Sequence, residues 1–216
     1  RLCHVLSNSR FLGDALNKSV ESVTWLGNDE ELKPRTRESL DIQTKAALER
    51  NAGSINDFAN SVRVMRRHEI ERIGLAWMSG VTDDATSLAG MTDVYDAIIE
   101  ASLRWAIRHQ LDEMRFDEAP AAIAVIGMGR YGGREVNFSS DADVIIIYRP
   151  TEEADDGQAN LFARKVQEDL RAILQGPTTF EPKIELDMDL RPEGKNGPLV
   201  RSYASCEEYY RSWAST

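Results

Sequence analysis

The sequence has 216 residues, 42% hydrophobic and 29% charged, with a formal net charge of -10. That length can bury a sizeable core in one large or two small domains, and the composition is that of a globular chain rather than a disordered one. An acidic surface repels a phosphate backbone, so nucleic acid is not an expected partner, and any nucleotide site must gather local positive charge or use metal ions.

In chain order, Phe11, Leu12, Ala15 and Leu16 recur at helical spacing, and Pro34 breaks the pattern. Ser39 to Arg50 is a second candidate helix. Ser54, followed by Asp57, has the form of a helix start, and the helix behind it places Ile55, Phe58, Val62, Met65, Ile70 and Ile73 on one side. Gly80 suits its end. Thr92 opens another long amphipathic helix, with Tyr95, Ile98, Ile99, Leu103, Ile107 and Leu111 as its buried stripe. No strand pattern precedes residue 120, so the first half reads as a helical bundle.

The pattern then changes. Ala121 to Ile126 is an apolar, partly β-branched run between Pro120 and Gly127 and reads as a buried strand. Asp143 to Tyr148 is a second strand, ended by Pro150. Leu161 to Leu174 is helical through Val166, Leu170 and Ile173, and Lys183 to Leu190 alternates as a third strand. Ser205 to Trp213 begins another helix. The expected class is α+β, divided into a helical domain (1–117), a sheet-bearing domain (118–200) and the start of a further helical region (201–216).

Cys3 and Cys206 offer neither a disulfide framework nor metal-ligand spacing and read as reduced thiols of a cytoplasmic protein. The longest apolar stretch, Ala119 to Met128, is too short to span a bilayer. No basic, then apolar, leader opens the chain. Its first residue is Arg1, and a portion of a longer protein is expected.

Gly127-Met128-Gly129-Arg130-Tyr131-Gly132 fits G-x-G-x-x-G, with Gly133 following. A dinucleotide fold would need a crossover helix of a dozen or more residues behind the glycines. Only Arg134 to Ser140 precedes Asp141, so the next strand must lie antiparallel or follow a tight connection. The glycines can then present backbone N–H groups to phosphate oxygens.

Asp141 and Asp143 follow Ser139 and Ser140, two residues apart at the entry to a strand. Side chains at i and i+2 share a face. Paired carboxylates repel unless a cation lies between them, and oxygen-only ligands suit Mg²⁺ with substrate phosphates. Taken alone, a D-x-D is as readily a solvated strand entry, and the glycines a plain tight turn. Their order between two buried strands favours a metal-dependent phosphate site. Glu185, Asp187 and Asp189 alternate on the third strand, and one of them can complete a carboxylate triad as metal ligand or general base. Arg191 can balance triphosphate charge or serve a structural ion pair.

Two blocks carry a family resemblance. Residues 127–135 with Ser139-Ser140-Asp141-Ala142-Asp143, and Leu186-Asp187-Met188-Asp189-Leu190-Arg191-Pro192-Glu193-Gly194 with Gly197-Pro198-Leu199-Val200, resemble the signatures of the glutamine synthetase adenylyltransferase/adenylyl-removing enzymes. Arg63 to Arg72 resembles, less specifically, the helical segment that precedes a catalytic unit there. The resemblance implies a polymerase β-like nucleotidyltransferase fold with a mixed sheet. It implies Asp141, Asp143 and Asp187 as metal-binding and catalytic acids. Gly127, Gly129, Gly132, Gly133, Ser139, Ser140 and Arg191 are expected on the nucleotide side. Asp189 stands where Arg is common in the family, which favours Asp187 as the third acid.

The implied activity is Mg²⁺-dependent transfer of AMP from ATP to a tyrosine of glutamine synthetase, regulating nitrogen assimilation. A PII-type signalling protein is an expected partner through the full-length enzyme, and no membrane is expected. Phosphorolytic removal of AMP, by the other half of such enzymes, is the alternative. Asn137-Phe138-Ser139-Ser140 resembles the removing half, whereas residues 191–197 and the helical lead-in look more like the transferring half. A different nucleotidyltransferase of the same fold, a non-catalytic interaction module and a dinucleotide-binding domain are further alternatives.

Overall fold

The computed structural model describes residues 1–177 and 181–213. Four short elements open the chain: α1 (Leu2–Asn8), α2 (Arg10–Lys18), a 3-10 segment (Val20–Gly27) and α3 (Asp29–Leu32). Val5, Leu12, Leu16, Leu26 and Leu32 bury a small cluster against Leu75 and Ala76. Three longer helices follow, α4 (Arg37–Arg50), α5 (Ile55–Met78) and α6 (Asp84–Met114).

Their starts follow side-chain capping. Ser54 Oγ accepts the Asp57 N–H at 3.3 Å, as the sequence suggested. Thr36 caps α4 two residues before the expected start, and Asp83 caps α6, whose first residue lies eight positions ahead of Thr92. Thr92 instead lies within α6, its hydroxyl donating to the Leu88 carbonyl. Gly80, at φ +70, follows the end of α5, where a left-handed residue terminates the helix.

The sheet comprises β1 (Ala121–Gly127), β2 (Ala142–Pro150), β3 (Leu186–Asp187) and β4 (Val200–Ser202). A short turn, α7 (Gly129–Gly132), connects β1 to β2, and α8 (Asp156–Gln175) carries the chain from β2 to β3. β1 pairs antiparallel with β2 over its full length, Ala121 opposite Pro150 and Gly127 opposite Val144. This is the tight, non-crossover connection that the glycine spacing demanded. β3 and β4 both run parallel to β2, so the sheet is mixed.

The expected strand 183–190 is mostly not a strand. Ile184, Leu186 and Met188 are buried in alternation, but only Leu186 and Asp187 pair with β2. The chain then turns through residues 188–199 and β4 takes the edge of β2 at Ile146–Tyr148. The final described element is α9 (Tyr203–Trp213), which begins two residues before the expected Ser205.

One apolar core runs from α4, α5 and α6 through α8 into the sheet, joining Phe58, Tyr95, Ile98 and Trp105 to Val144, Ile146, Phe162 and Leu170. It crosses the expected boundary at residue 117. Polar anchors bind the same layers. Arg63 is fully buried and gives Nε–H and Nη2–H to the Ile173 carbonyl at 3.0 and 2.7 Å. His109 on α6 meets Asp169 on α8 at 2.7 Å. Among the described residues no helix is long and apolar enough to cross a membrane.

Candidate active site

The site forms where β1 ends and β2 begins, beside β3. Met128 N–H donates to the Asp143 carbonyl at 2.8 Å, which seats the glycine turn on β2. Gly129 has φ +52, and a Cβ there would lie 3.0 Å from Asp143 Cγ and closer still to Oδ2. Only a residue without a side chain fits against that carboxylate. Gly132 is equally confined, because its Cβ would stand 2.5 Å from the Gly127 carbonyl oxygen.

Gly132 and Gly133 spend their N–H groups on the Met128 and Gly129 carbonyls at 2.7 and 3.0 Å. The N–H groups of Gly129, Arg130 and Tyr131 make no hydrogen bond among the described residues. Of the expected glycines, Gly132 and Gly133 thus have their N–H groups engaged within the turn, and Gly129 does not.

The acid pair sits slightly differently from the expectation. β2 begins at Ala142, so exposed Asp141 immediately precedes it while half-buried Asp143 lies within it. Ala142 N–H donates to the Glu185 carbonyl at 2.8 Å, and the parallel register sets Asp143 beside Asp187. Burial holds the Asp143 carboxyl above the ordinary range, and the charges of Asp187 and Asp141 push it further up, partly offset by Arg130.

These three carboxylates thus feel one another. Among the described residues no three Asp, Glu, His or Cys side chains gather tightly enough to hold an ion as they stand. Like charges keep apart unless a cation is shared between them. The donors are all oxygens, the kind that suits Mg²⁺, and the backbone of Gly129 lies directly against the Asp143 carboxylate.

Asp187 and Asp189 have separate environments. Asp189 lies 3.2 Å from Lys195 and 3.5 Å from Arg191, while its N–H donates to Asp187 Oδ1 at 2.8 Å. Glu185 accepts from Gln175 at 3.1 Å. Only Asp187 among these acids stands in register with Asp143.

Ser139 and Ser140 shape the loop before Asp141. Asn137 N–H donates to Ser140 Oγ at 3.0 Å, and Ser139 N–H and Oγ–H donate to Asn137 Oδ1 at 3.0 and 3.2 Å. Arg191 is turned into its own loop, donating to the carbonyls of Met188, Gly197 and Lys195 at 2.7, 2.9 and 3.1 Å.

One face of α6, absent from the sequence expectations as a site element, grips this region. Thr92 Oγ1 accepts Val136 N–H at 3.4 Å, Asp93 pairs with Arg134 at 2.8 Å, Tyr95 O–H donates to the Ser140 carbonyl at 3.1 Å, and Asp96 accepts from Tyr131 O–H at 2.7 Å. Burial and Asp96 hold the Tyr131 hydroxyl protonated far above its ordinary range. A tyrosine in a stripe otherwise filled by aliphatics was the available signal, since a buried phenol needs a partner.

The whole chain, residues 1–216, matches the family described as Glutamate-ammonia ligase adenylyltransferase. It is 76% identical over 216 residues to the bifunctional glutamine synthetase adenylyltransferase/adenylyl-removing enzyme of Bifidobacterium longum (strain DJO10A), covering 100% of this chain and 20% of that protein. The protein of the same name from Mycobacterium tuberculosis (strain ATCC 25618 / H37Rv) is 38% identical over 217 residues, covering 99% of this chain and 21% of that one. The chain spans about a fifth of the length of these curated relatives.

Proposed function

The chain belongs to the Glutamate-ammonia ligase adenylyltransferase family, and from that membership we propose that it is the catalytic part of a longer enzyme that moves AMP from ATP to a tyrosine of glutamine synthetase. The observation that carries this reading is the register of Asp143 beside Asp187 under the bare backbone of Gly129. Asp141, Asp143 and Asp187 would hold Mg²⁺, which when bound neutralises charge on the phosphate oxygens.

The chain's own groups account for the rest. The N–H groups of Gly129, Arg130 and Tyr131, which make no hydrogen bond among the described residues, would serve as donors to phosphate oxygens. The tyrosine oxygen forms a bond to the α-phosphorus while the bond from that phosphorus to the α–β bridging oxygen breaks, and pyrophosphate leaves. Asp187 is the carboxylate placed to accept the phenolic proton. In the reverse sense, a phosphate oxygen attacks the same phosphorus, ADP leaves and the tyrosine oxygen regains a proton. The same acids serve either direction, and the Asn137–Ser140 wording favours removal where residues 191–197 favour transfer.

We place the reaction in the cytoplasm, with residues 1–117 supporting 118–200 as one unit and the region from 201 leading into further helices. Control through a PII-type signalling protein would act on the full-length enzyme. The test uses that full-length enzyme. One tube holds glutamine synthetase, ATP and Mg²⁺, the other adenylylated glutamine synthetase and phosphate. Asp143→Asn is expected to silence the first and spare the second. Silencing only the second assigns removal to this part, and full activity in both overturns the reading.

A further inference from the structure

Peptides on both sides of the acid pair are anchored from different elements. Ala142 N–H is held by the Glu185 carbonyl and the Asp143 carbonyl by Met128 N–H, both within the sheet region. The third anchor comes from the helical part. The Ser140 carbonyl, one peptide bond before Asp141, accepts the hydroxyl of Tyr95 on α6, and that hydroxyl in turn accepts Nη2–H of Arg66 on α5 at 2.9 Å. Arg66 and Tyr95 are both buried.

The direction of this relay is fixed by chemistry. A guanidinium has only donors, so the phenolic oxygen must accept from Arg66 and its single proton is left for Ser140. Donation from a charged group polarises the hydroxyl and strengthens the second bond. The Arg66 guanidinium also lies 5.4 Å from the centre of the Tyr95 ring, which restrains the ring itself. Thr92, one turn before, and Asp96, the next residue, fix Val136 and Tyr131, and among the described residues the Ser140 carbonyl is held by Tyr95.

We propose that Tyr95, oriented by Arg66, is a positioning residue that sets the Ser140–Asp141 peptide and thereby the spacing of Asp141 from Asp143. The proposal rests on the reading of these acids as a metal site. Removing a group that orients metal ligands typically weakens metal binding roughly 10- to 100-fold.

The test is Mn²⁺ binding to the full-length protein, read from the free-ion electron paramagnetic resonance signal, with wild type, Tyr95→Phe, Arg66→Lys and Asp143→Asn compared. Amide hydrogen exchange of residues 137–142 is followed in the same proteins without metal. Tyr95→Phe is expected to bind Mn²⁺ about tenfold more weakly and to exchange faster at 137–142, while exchange in α8 stays as in wild type. Arg66→Lys, which keeps a donor but loses the planar fork, is expected to show both effects in smaller measure. It carries the test should Tyr95→Phe fail to fold.

Wild-type Mn²⁺ affinity in Tyr95→Phe, or in Arg66→Lys where that variant carries the test, overturns the proposal. So does weaker binding with unchanged exchange at 137–142. If wild type binds no Mn²⁺, or Asp143→Asn binds as well as wild type, the metal reading falls and the proposal with it. Loss in Asp143→Asn with none in Tyr95→Phe removes the positioning role alone.

Discussion

Gly129 lies against the carboxylate of Asp143 so closely that a methyl group on its Cα would stand 3.0 Å from Cγ. Its φ of +52 adds a second penalty for any side chain. Gly129→Ala is expected to destabilise the fold by more than about 1 kcal/mol. It should also displace the Asp143 side chain. Thermal unfolding together with Mn²⁺ titration checks this; a variant matching wild type in both would remove the close approach from the description of the site.

The three acids between Glu185 and Asp189 are expected to separate sharply by function. Asp187 faces Asp143 in register, whereas Glu185 is held by Gln175 and Asp189 by Lys195. Asp187→Asn should lower turnover roughly 100-fold or more, as loss of a general base or ligand does. Asp189→Asn and Glu185→Gln should stay near wild type. Steady-state rates of the three variants in the full-length enzyme decide it, and equal losses at 187 and 189 would contradict the assignment.

Arg191 has a structural task that nucleotide binding would not require. Its three bonds to Met188, Gly197 and Lys195 carbonyls close the turn between β3 and β4. Arg191→Met should cost about 2 kcal/mol, since bonds to a charged donor are lost from a poorly exposed site. Hydrogen exchange should rise across 188–199. A variant with unaltered stability but weakened ATP binding would instead assign the guanidinium to the nucleotide.

A pH effect is expected far from the acids of the site. Glu71 on α5 is buried, with Ser22 beside it and Arg67 Nη1 4.0 Å away. Burial raises its pKa above the ordinary carboxylate range, and Ser22 and Arg67 pull it back only in part. The folded state therefore keeps this proton to higher pH than the unfolded chain does. Stability falls as pH rises from the unfolded pKa through the raised folded one. Glu71→Gln should flatten that slope and stabilise the protein at pH 7.5 by on the order of 1 kcal/mol. Unfolding midpoints from pH 4.5 to 7.5 test it, and an unchanged slope would contradict it.

Much of the fold is written locally. Ser54 announces α5 because a capping hydroxyl acts within three residues, and the run from Ala121 announces β1 because both its ends are marked by Pro120 and Gly127. The start of α6 was hidden behind Gly90, which weakens a helical pattern although Asp83 caps the helix well ahead of it. The strand expected over 183–190 shows a different limit. Alternating burial of Ile184, Leu186 and Met188 reports one covered side of the chain, not a paired edge. Pairing depends on β2, whose edge is divided between β3 and β4.

At the candidate site, Asp141 and Asp143 stood out as acids two residues apart at a strand entry, whereas alternation alone left Glu185, Asp187 and Asp189 equivalent until the register with Asp143 was in view. Tyr95 was visible only as a buried phenol in need of a partner; that this partner is Ser140, 45 residues away, and that Arg66 bonds the same hydroxyl, no local pattern shows. The three loop carbonyls that Arg191 binds were likewise hidden, since a turn's closure is not written in the residues on either side of it.

The length of α6 has a mechanical meaning. From Val94, amid the contacts to the loop before Asp141, to His109, bound to Asp169 on α8, the helix runs about 22 Å. One rigid element thus spans both contacts, and the Ser140 carbonyl and the Asp169 carboxylate are tied to a single frame.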